Sequence, residues 1–285
     1  MSCFAHINWS RSAALLVTLA VTMSATAAAG TADPRISRPE DFASAFASVP
    51  CDNKDRLAAV RALYESMGAQ ASDFRVERFG EYGGVENLVI VKPGESQEKI
   101  VIGAHYDKRG DGCGAVDNWT GQVALAHLYG TLRNVSTRKT LVFVAFGREE
   151  ENLVGSRAMV NAIPREQVAG YCGMVNVDSL GLARTQVADN MSSRSLEQLA
   201  ADLARQMDMP FSHASLPRAY SDSNSFMSKG IPALTIHGLS NNWTQVLHQR
   251  EDQGSLVKPL GVYLGYRLAL SMIVSMDQAP CDAYR

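Results

Sequence analysis

Short, unbroken apolar runs that close on a histidine or a carboxylate constrain this chain more than any other feature. Residues 99–104 lead into His105, residues 141–146 into Glu149 and Glu150, residues 174–177 into Asp178, and residues 233–236 into His237. Runs this short, without alternation of apolar and polar residues, predict strands buried on both faces. Such strands need helices above and below them. The intervening segments supply candidates at 122–132, at 156–162 before Pro164, and in the strongly amphipathic stretch 195–207. Upstream, residues 38–68 read as a helix, and residues 74–79 and 87–91 as strands joined through Gly83 and Gly84. The final segment 256–276 is apolar but interrupted by Lys258 and Arg267, which suits a packing helix. The alternation predicts an α/β fold, with a mostly parallel mixed sheet flanked by helices on both faces as a three-layer sandwich.

The chain has 285 residues, 46% apolar and 20% charged, with a formal net charge of -2. This is an ordinary globular balance with no internal repeat, low-complexity stretch or linker, so residues 30–285 are expected to form a single domain. No basic tract offers the footprint that nucleic-acid phosphates require, so nucleic acid is excluded as a partner. The first 29 residues differ from the rest: Arg11 precedes an apolar run at 13–23 and then small residues at 24–30. That pattern predicts a secretory signal peptide cleaved after Ala27 or Ala29, hence a secreted or periplasmic protein without a membrane partner after cleavage. An uncleaved anchor fits less well, because the apolar part falls short of the ~20 residues a spanning helix needs.

Cys3 leaves with the leader, so the mature chain keeps Cys51, Cys113, Cys172 and Cys281 in a compartment where disulfides persist. The expected pairing joins Cys51 with Cys281, tying the two terminal segments, and Cys113 with Cys172. A role for Cys113 as a soft metal ligand is the weaker alternative.

The polar residues that close the apolar runs belong together, because open α/β sheets gather functional groups outside the carboxyl ends of their strands. His105 and Asp107 fall on one side of an extended chain, so Asp107 can hold the imidazole or tune a metal bound to it. Asp117 follows the glycine-rich stretch 110–114 and precedes a helix. It reads either as an N-cap or as a carboxylate that gives one oxygen to each of two ions. Glu149 and Glu150 are costly beside a buried strand unless a cation is near, although a solvated acidic loop with Glu151 is the competing reading. As neighbours they point in different directions, so one can ligate while the other moves a proton. Asp178 reads as a ligand or a helix cap. For a second histidine both His248 and His237 qualify, whereas His127 on a helix and His213 in a polar loop read as non-functional. Nitrogen and carboxylate donors without thiolate favour Zn, with Mn or Co as substitutes.

Taken in order, several motifs form a specific set: His105-Tyr106-Asp107, Gly114-Ala115-Val116-Asp117-Asn118, Phe146-Gly147-Arg148-Glu149-Glu150, Asn176-Val177-Asp178 and His248-Gln249-Arg250-Glu251-Asp252. This set resembles the secreted di-zinc aminopeptidases, that is, the leucyl-aminopeptidase-like and aminopeptidase Y-like metallopeptidases with co-catalytic zinc; glutaminyl cyclases are distant relatives. Ser221-Asp222 and Gly230-Ile231-Pro232-Ala233 extend the resemblance downstream. It implies a zinc-exopeptidase-like (phosphorylase/hydrolase-like) sandwich and one metallopeptidase catalytic domain. It further implies two Zn2+ ions, with Asp117 bridging, His105 and Asp178 completing one site, and Glu150 and His248 the other. Glu149 is then the general base, Asp107 supports His105, and a peptide is the substrate, cut at its N-terminal bond. Asn152 and the loop holding Cys113 depart from the usual pattern, and Tyr220 and Trp119 are expected walls of the pocket. A one-zinc glutaminyl cyclase and a non-catalytic binding ectodomain are the alternatives. The full donor set and the paired base Glu149 weigh against both.

Overall fold

The structure, a computed structural model, describes residues 35–285, so the expected leader and Cys3 lie outside the described residues. The strands are β1 (Phe74–Phe79), β2 (Val85–Lys92), β3 (Lys99–His105), β4 (Thr140–Phe146), β5 (Tyr171–Val177), β6 (Thr185–Ala188), β7 (Phe211–Ala214) and β8 (Ala233–His237). They form one eight-stranded sheet in the order β1-β2-β4-β3-β5-β8-β6-β7. The central strands β4, β3, β5 and β8 are parallel, with antiparallel partners β2 and β6 on either side. All central strands therefore deliver their carboxyl ends to the same edge.

The apolar runs are buried on both faces because their side chains feed two separate cores. Ile100, Ile102, Ala104, Leu141, Phe143 and Ala145 pack on one face, and Val101, Val142, Val144 and Phe146 on the other. The first face is covered by α1 (Asn53–Ser66), α2 (Thr120–Leu132), α4 (Arg194–Gln206) and α6 (Pro259–Gln278), and the second by α3 (Val154–Asn161) and α5 (Asp222–Ser228). This is the predicted mixed α/β sandwich. The last helix, α6, begins with Pro259, whose fixed φ suits a first helical position. It is long and apolar enough to cross a membrane. Here it buries Val262, Tyr266, Leu268, Met272, Ile273 and Met276 beside α2 and α4. Each such side chain contributes roughly 1.5–3 kcal/mol, and Met272→Ala would cost about 2–5 kcal/mol.

The structure corrects two expectations. The segment 38–68 is not one helix but a 3-10 helix at Pro39–Phe46 and then α1. Pro50 biases the residue before it toward extended backbone, and Asp52 restarts the helix by accepting from the Lys54 N–H at 3.1 Å. The disulfides are Cys51–Cys113 and Cys172–Cys281, not Cys51–Cys281 and Cys113–Cys172. The sheet separates the pairs: Cys51 and Cys113 meet in loops at its carboxyl edge, whereas Cys172 is the second residue of β5 at the opposite edge, where the segment after α6 brings Cys281. Bonded in this way, Cys113 offers no thiolate.

Candidate metal centre

β3 ends at His105, which is 1% exposed. Its Nδ1 lies 3.1 Å from the main-chain carbonyl of Asp107. That contact aims Nε2 outward, 3.1 Å from Asp117 Oδ1 and 3.5 Å from Asp178 Oδ1. On the other side, His248 Nε2 lies 3.1 Å from Asp117 Oδ2 and 2.9 Å from Glu150 Oε2. Asp117 thus turns one oxygen toward each histidine. The donors fall into two compact groups, His105 with Glu149 and Asp178, and Asp117 with Glu150 and His248, each with donor atoms within 4.8 Å of one another.

Buried carboxylates hold the donor-bearing loops. Asp107 was expected to support His105, and its carboxylate lies 3.6 Å from Nδ1, at ion-pair distance. It also accepts from the backbone N–H groups of Glu149 at 2.9 Å and Glu150 at 3.1 Å. Asp252 does the same for the other loop, accepting from Val116 at 2.6 Å and Asp117 at 3.1 Å. Asp252 closes the His248-Gln249-Arg250-Glu251-Asp252 motif, where nothing in the residue pattern signals this role. Ser221 likewise gains one, donating from Oγ to Asp178 Oδ2 at 2.5 Å. Asn118 stitches α2 to the end of β5, accepting from Gly121 and Ser179 and donating to Val177 O. A Cβ at position 121 would sit 2.4 Å from Asn118 Oδ1 and 2.5 Å from Val177 O, so this close approach requires glycine. Around the donors, Arg148, Asn152, Leu153, Ser179 and His248 all have left-handed φ. Non-glycine residues in that region cost of order 1–3 kcal/mol each and cluster where a site over-determines its backbone.

The electrostatics are those of a buried anionic cluster. Burial pushes Glu149 well above the usual carboxylate range, against the pull of His105, and Asp222, Asp178 and Glu150 add to the rise. Glu150 is raised by burial and by Asp117, and its Oε1 is buried without a hydrogen-bond partner. Asp222 is fully buried and pushed up to about 7, again chiefly by burial. Asp117 and Glu150 hold His248 up at about 10, and His105 is raised well above its ordinary value despite its burial. Burial opposes ionisation of Asp117, yet hydrogen bonds with the two histidines hold its carboxyl below the ordinary range. The cluster attracts positive charge, and its orphaned Glu150 oxygen and thiolate-free donor set fit zinc.

Beside the donors opens a cleft of about 410 Å³ whose apolar wall includes Leu153, Met191, Leu216, Leu239, Trp243 and Leu247. Tyr220 lines it as expected. Trp119 does not: it is 3% exposed and donates from Nε1 to Ala45 O beneath the site. His237 lines the cleft but joins neither donor group, and burial pushes it down to about 4. His127 packs on Phe42, and His213 lies on β7 with its ring against Asp189, so neither reaches the donors.

The sequence pattern of Peptidase family M28 matches residues 87–260, a stretch that contains every donor named above. The chain belongs to peptidase family M28. Among its M28 relatives, a probable leucine aminopeptidase of Arthroderma otae is 25% identical over 223 residues, covering 69% of this chain and 58% of that protein. The chain thus spans little more than half the length of the curated relatives it matches. Two of the solved structures to which the chain is similar share its fold. The LapA aminopeptidase of Legionella pneumophila aligns with a TM-score of 0.67 at 20% identity, covering 86% of this chain and 76% of that one. A glutaminyl cyclase from an Acidobacteriales bacterium gives 0.66 at 18% identity, covering 84% and 92%.

Proposed function

We propose that this chain is an exported di-zinc aminopeptidase. The observation that carries the reading is Asp117, whose two oxygens each lie 3.1 Å from a different histidine, as a carboxylate shared between two ions requires. In this assignment His105 and Asp178 would hold one zinc, Glu150 and His248 the other, and Asp117 would be shared between them. When bound, zinc would supply a water of lowered pKa and polarise the scissile carbonyl.

The remaining work belongs to the chain. Glu149 lies within the group of His105 and Asp178, and its burial favours proton uptake; it takes the proton of the attacking water and passes it to the leaving amine. Asp107 fixes the backbone of Glu149 and Glu150 together, so the base and a ligand keep a constant offset. The apolar wall of the cleft receives the side chain of the N-terminal residue and excludes water around it. Export is supported by the leader pattern and by the two disulfides, which persist in oxidising compartments.

The test measures zinc content and hydrolysis of aminoacyl-p-nitroanilides for the mature protein and for Glu149→Ala, with an N-terminal glutaminyl peptide as a second substrate. Two zinc ions with cleavage abolished in the variant support the aminopeptidase. One zinc with cyclisation of the glutaminyl peptide replaces it by a glutaminyl cyclase. Neither activity makes the protein a binding ectodomain.

A further inference from the structure

We infer that Arg56 is a positioning residue for the donor cluster, acting through the backbone of two donor-bearing loops; this rests on the zinc reading above. Arg56 lies in the first half of α1 and is 0% exposed. Its hydrogen-bond partners are all main-chain carbonyls: Tyr106 from Nε, Pro50 at 3.0 Å and Cys113 at 2.8 Å from Nη1, and Gly114 at 3.1 Å from Nη2. The guanidinium carbon sits 5.4 Å from the centroid of the Trp119 ring. A cation withdrawn from water is tolerated only when its N–H groups are satisfied, and these carbonyls satisfy them.

The choice of carbonyls gives the contact its meaning. Tyr106 stands between His105 and Asp107, and Cys113 and Gly114 lead into the turn that delivers Asp117. The guanidinium therefore joins the end of β3 to the Asp117 turn, the two segments whose donors meet at 3.1 Å. A planar guanidinium spreads five N–H groups over three nitrogens, enough for these four carbonyls, whereas a lysine ammonium offers three from a single point. The charge of Arg56 also faces Asp107, Asp117, Asp252 and Glu150, so it stabilises the cluster as well as its backbone.

The same end of α1 makes two more ties to these loops. Cys51 is bonded to Cys113, and the Asn53 side chain exchanges hydrogen bonds with Lys108 at 3.0 and 2.9 Å. Cys51, Asn53 and Arg56 all precede residue 87, where the family match begins. This strap holds the site from outside the matched segment.

The test compares the wild-type full chain with Arg56→Met and Arg56→Lys at 25 °C. It reads zinc affinity by chelator competition, the visible spectrum of the cobalt-loaded protein, kcat and KM on leucyl-p-nitroanilide, and the melting temperature. Arg56→Met is expected to weaken zinc binding by about 10–100-fold, the range for groups that orient ligands, and to shift the cobalt bands. Its kcat should fall roughly tenfold with KM within about twofold, as befits displaced donors rather than lost substrate contacts. Arg56→Lys, which keeps the charge and loses the fork, should recover only part of each loss. A melting temperature that drops while zinc affinity, cobalt spectrum and kcat stay at wild-type values overturns the inference, leaving Arg56 as scaffold. If Arg56→Met does not fold, Arg56→Lys decides on the same readouts. A wild-type protein that binds no zinc overturns the proposed function and this inference with it. One that binds zinc but cleaves nothing overturns only the aminopeptidase reading, and the affinity and cobalt readouts then decide the role of Arg56.

Discussion

Two histidines are withdrawn from solvent to a similar degree, His105 at 1% and His127 at 4% exposure, yet their surroundings drive them to opposite protonation. His105 ends a strand among carboxylates, and their combined pull outweighs the cost of burying its charge. His127 lies on α2 with its ring 4.1 Å from Phe42 in a stacked pair and its Nδ1 2.8 Å from Ser37 Oγ. There burial dominates and pushes it down to about 4. One region holds left-handed non-glycine residues, unpartnered oxygens and clustered acids; in the other the ring stacks on Phe42 and its Nδ1 meets a hydroxyl. Burial does not distinguish a functional histidine from a packing one, but the charge of its neighbours does.

If the carboxyl edge of the sheet is built for chemistry and the His127 layer for stability, substitutions must divide accordingly. The largest effect belongs to the base: Glu149→Gln should lower kcat by about 10²–10⁴-fold, the range for losing a general acid–base. Circular dichroism and zinc content should stay unchanged, and more than a tenth of the activity remaining would remove Glu149 from that role. Next, His105→Ala and His248→Ala should each weaken zinc binding on the order of 100-fold or more, the upper end of ligand-shell effects. Elemental analysis should find one ion lost from each variant while His127→Leu keeps both; loss of zinc from His127→Leu breaks the comparison. A smaller change follows from Asp107→Asn, whose amide cannot accept from Glu149 and Glu150 together, and zinc affinity should fall by about 10–100-fold.

The smallest effect concerns acid. With His127 near 4 in the folded chain and near 6.5 when unfolded, the unfolded state binds the extra proton between these values. Stability from this group is therefore complete above pH 6.5 and falls as the pH drops toward 4, by about 2 kcal/mol between pH 7 and pH 5. Urea unfolding of His127→Phe across that interval should show a shallower decline than wild type, and parallel curves would place the acid sensitivity elsewhere.

Much of this division was legible in the chain. Unbroken runs such as residues 141–146 identify strands fed into two cores, and the carboxylates that follow them mark the functional edge. What escaped has particular causes. β6 and β7 have four residues each, and α5 is the polar stretch DSNSFMS, so none carries enough periodicity to stand out. Strand alternation placed Asp107 on the side of His105 but could not show that its main-chain oxygen meets the ring at 3.1 Å while its carboxylate also holds the backbone of Glu149 and Glu150. The disulfides depend on which edge of the sheet each cysteine reaches, a property of topology that spacing does not encode. His248 lies in a loop, so the residue pattern alone left it level with His237, and only the resemblance separated them. Arg56 did leave a trace: it shares the buried stripe of α1 with Val60 and Tyr64, four and eight residues on, where an apolar side chain would be ordinary.

The two-sided carboxylate of Asp117 also has a thermodynamic corollary. Under the two-ion reading, filling one position commits one oxygen, fixes the orientation of the other and partly neutralises the group. Occupancy of either position must then change the affinity of its neighbour, and by linkage the influence is equal in both directions. A zinc isotherm would not resolve into two independent constants. Its shape would report a coupling free energy stored in a single side chain.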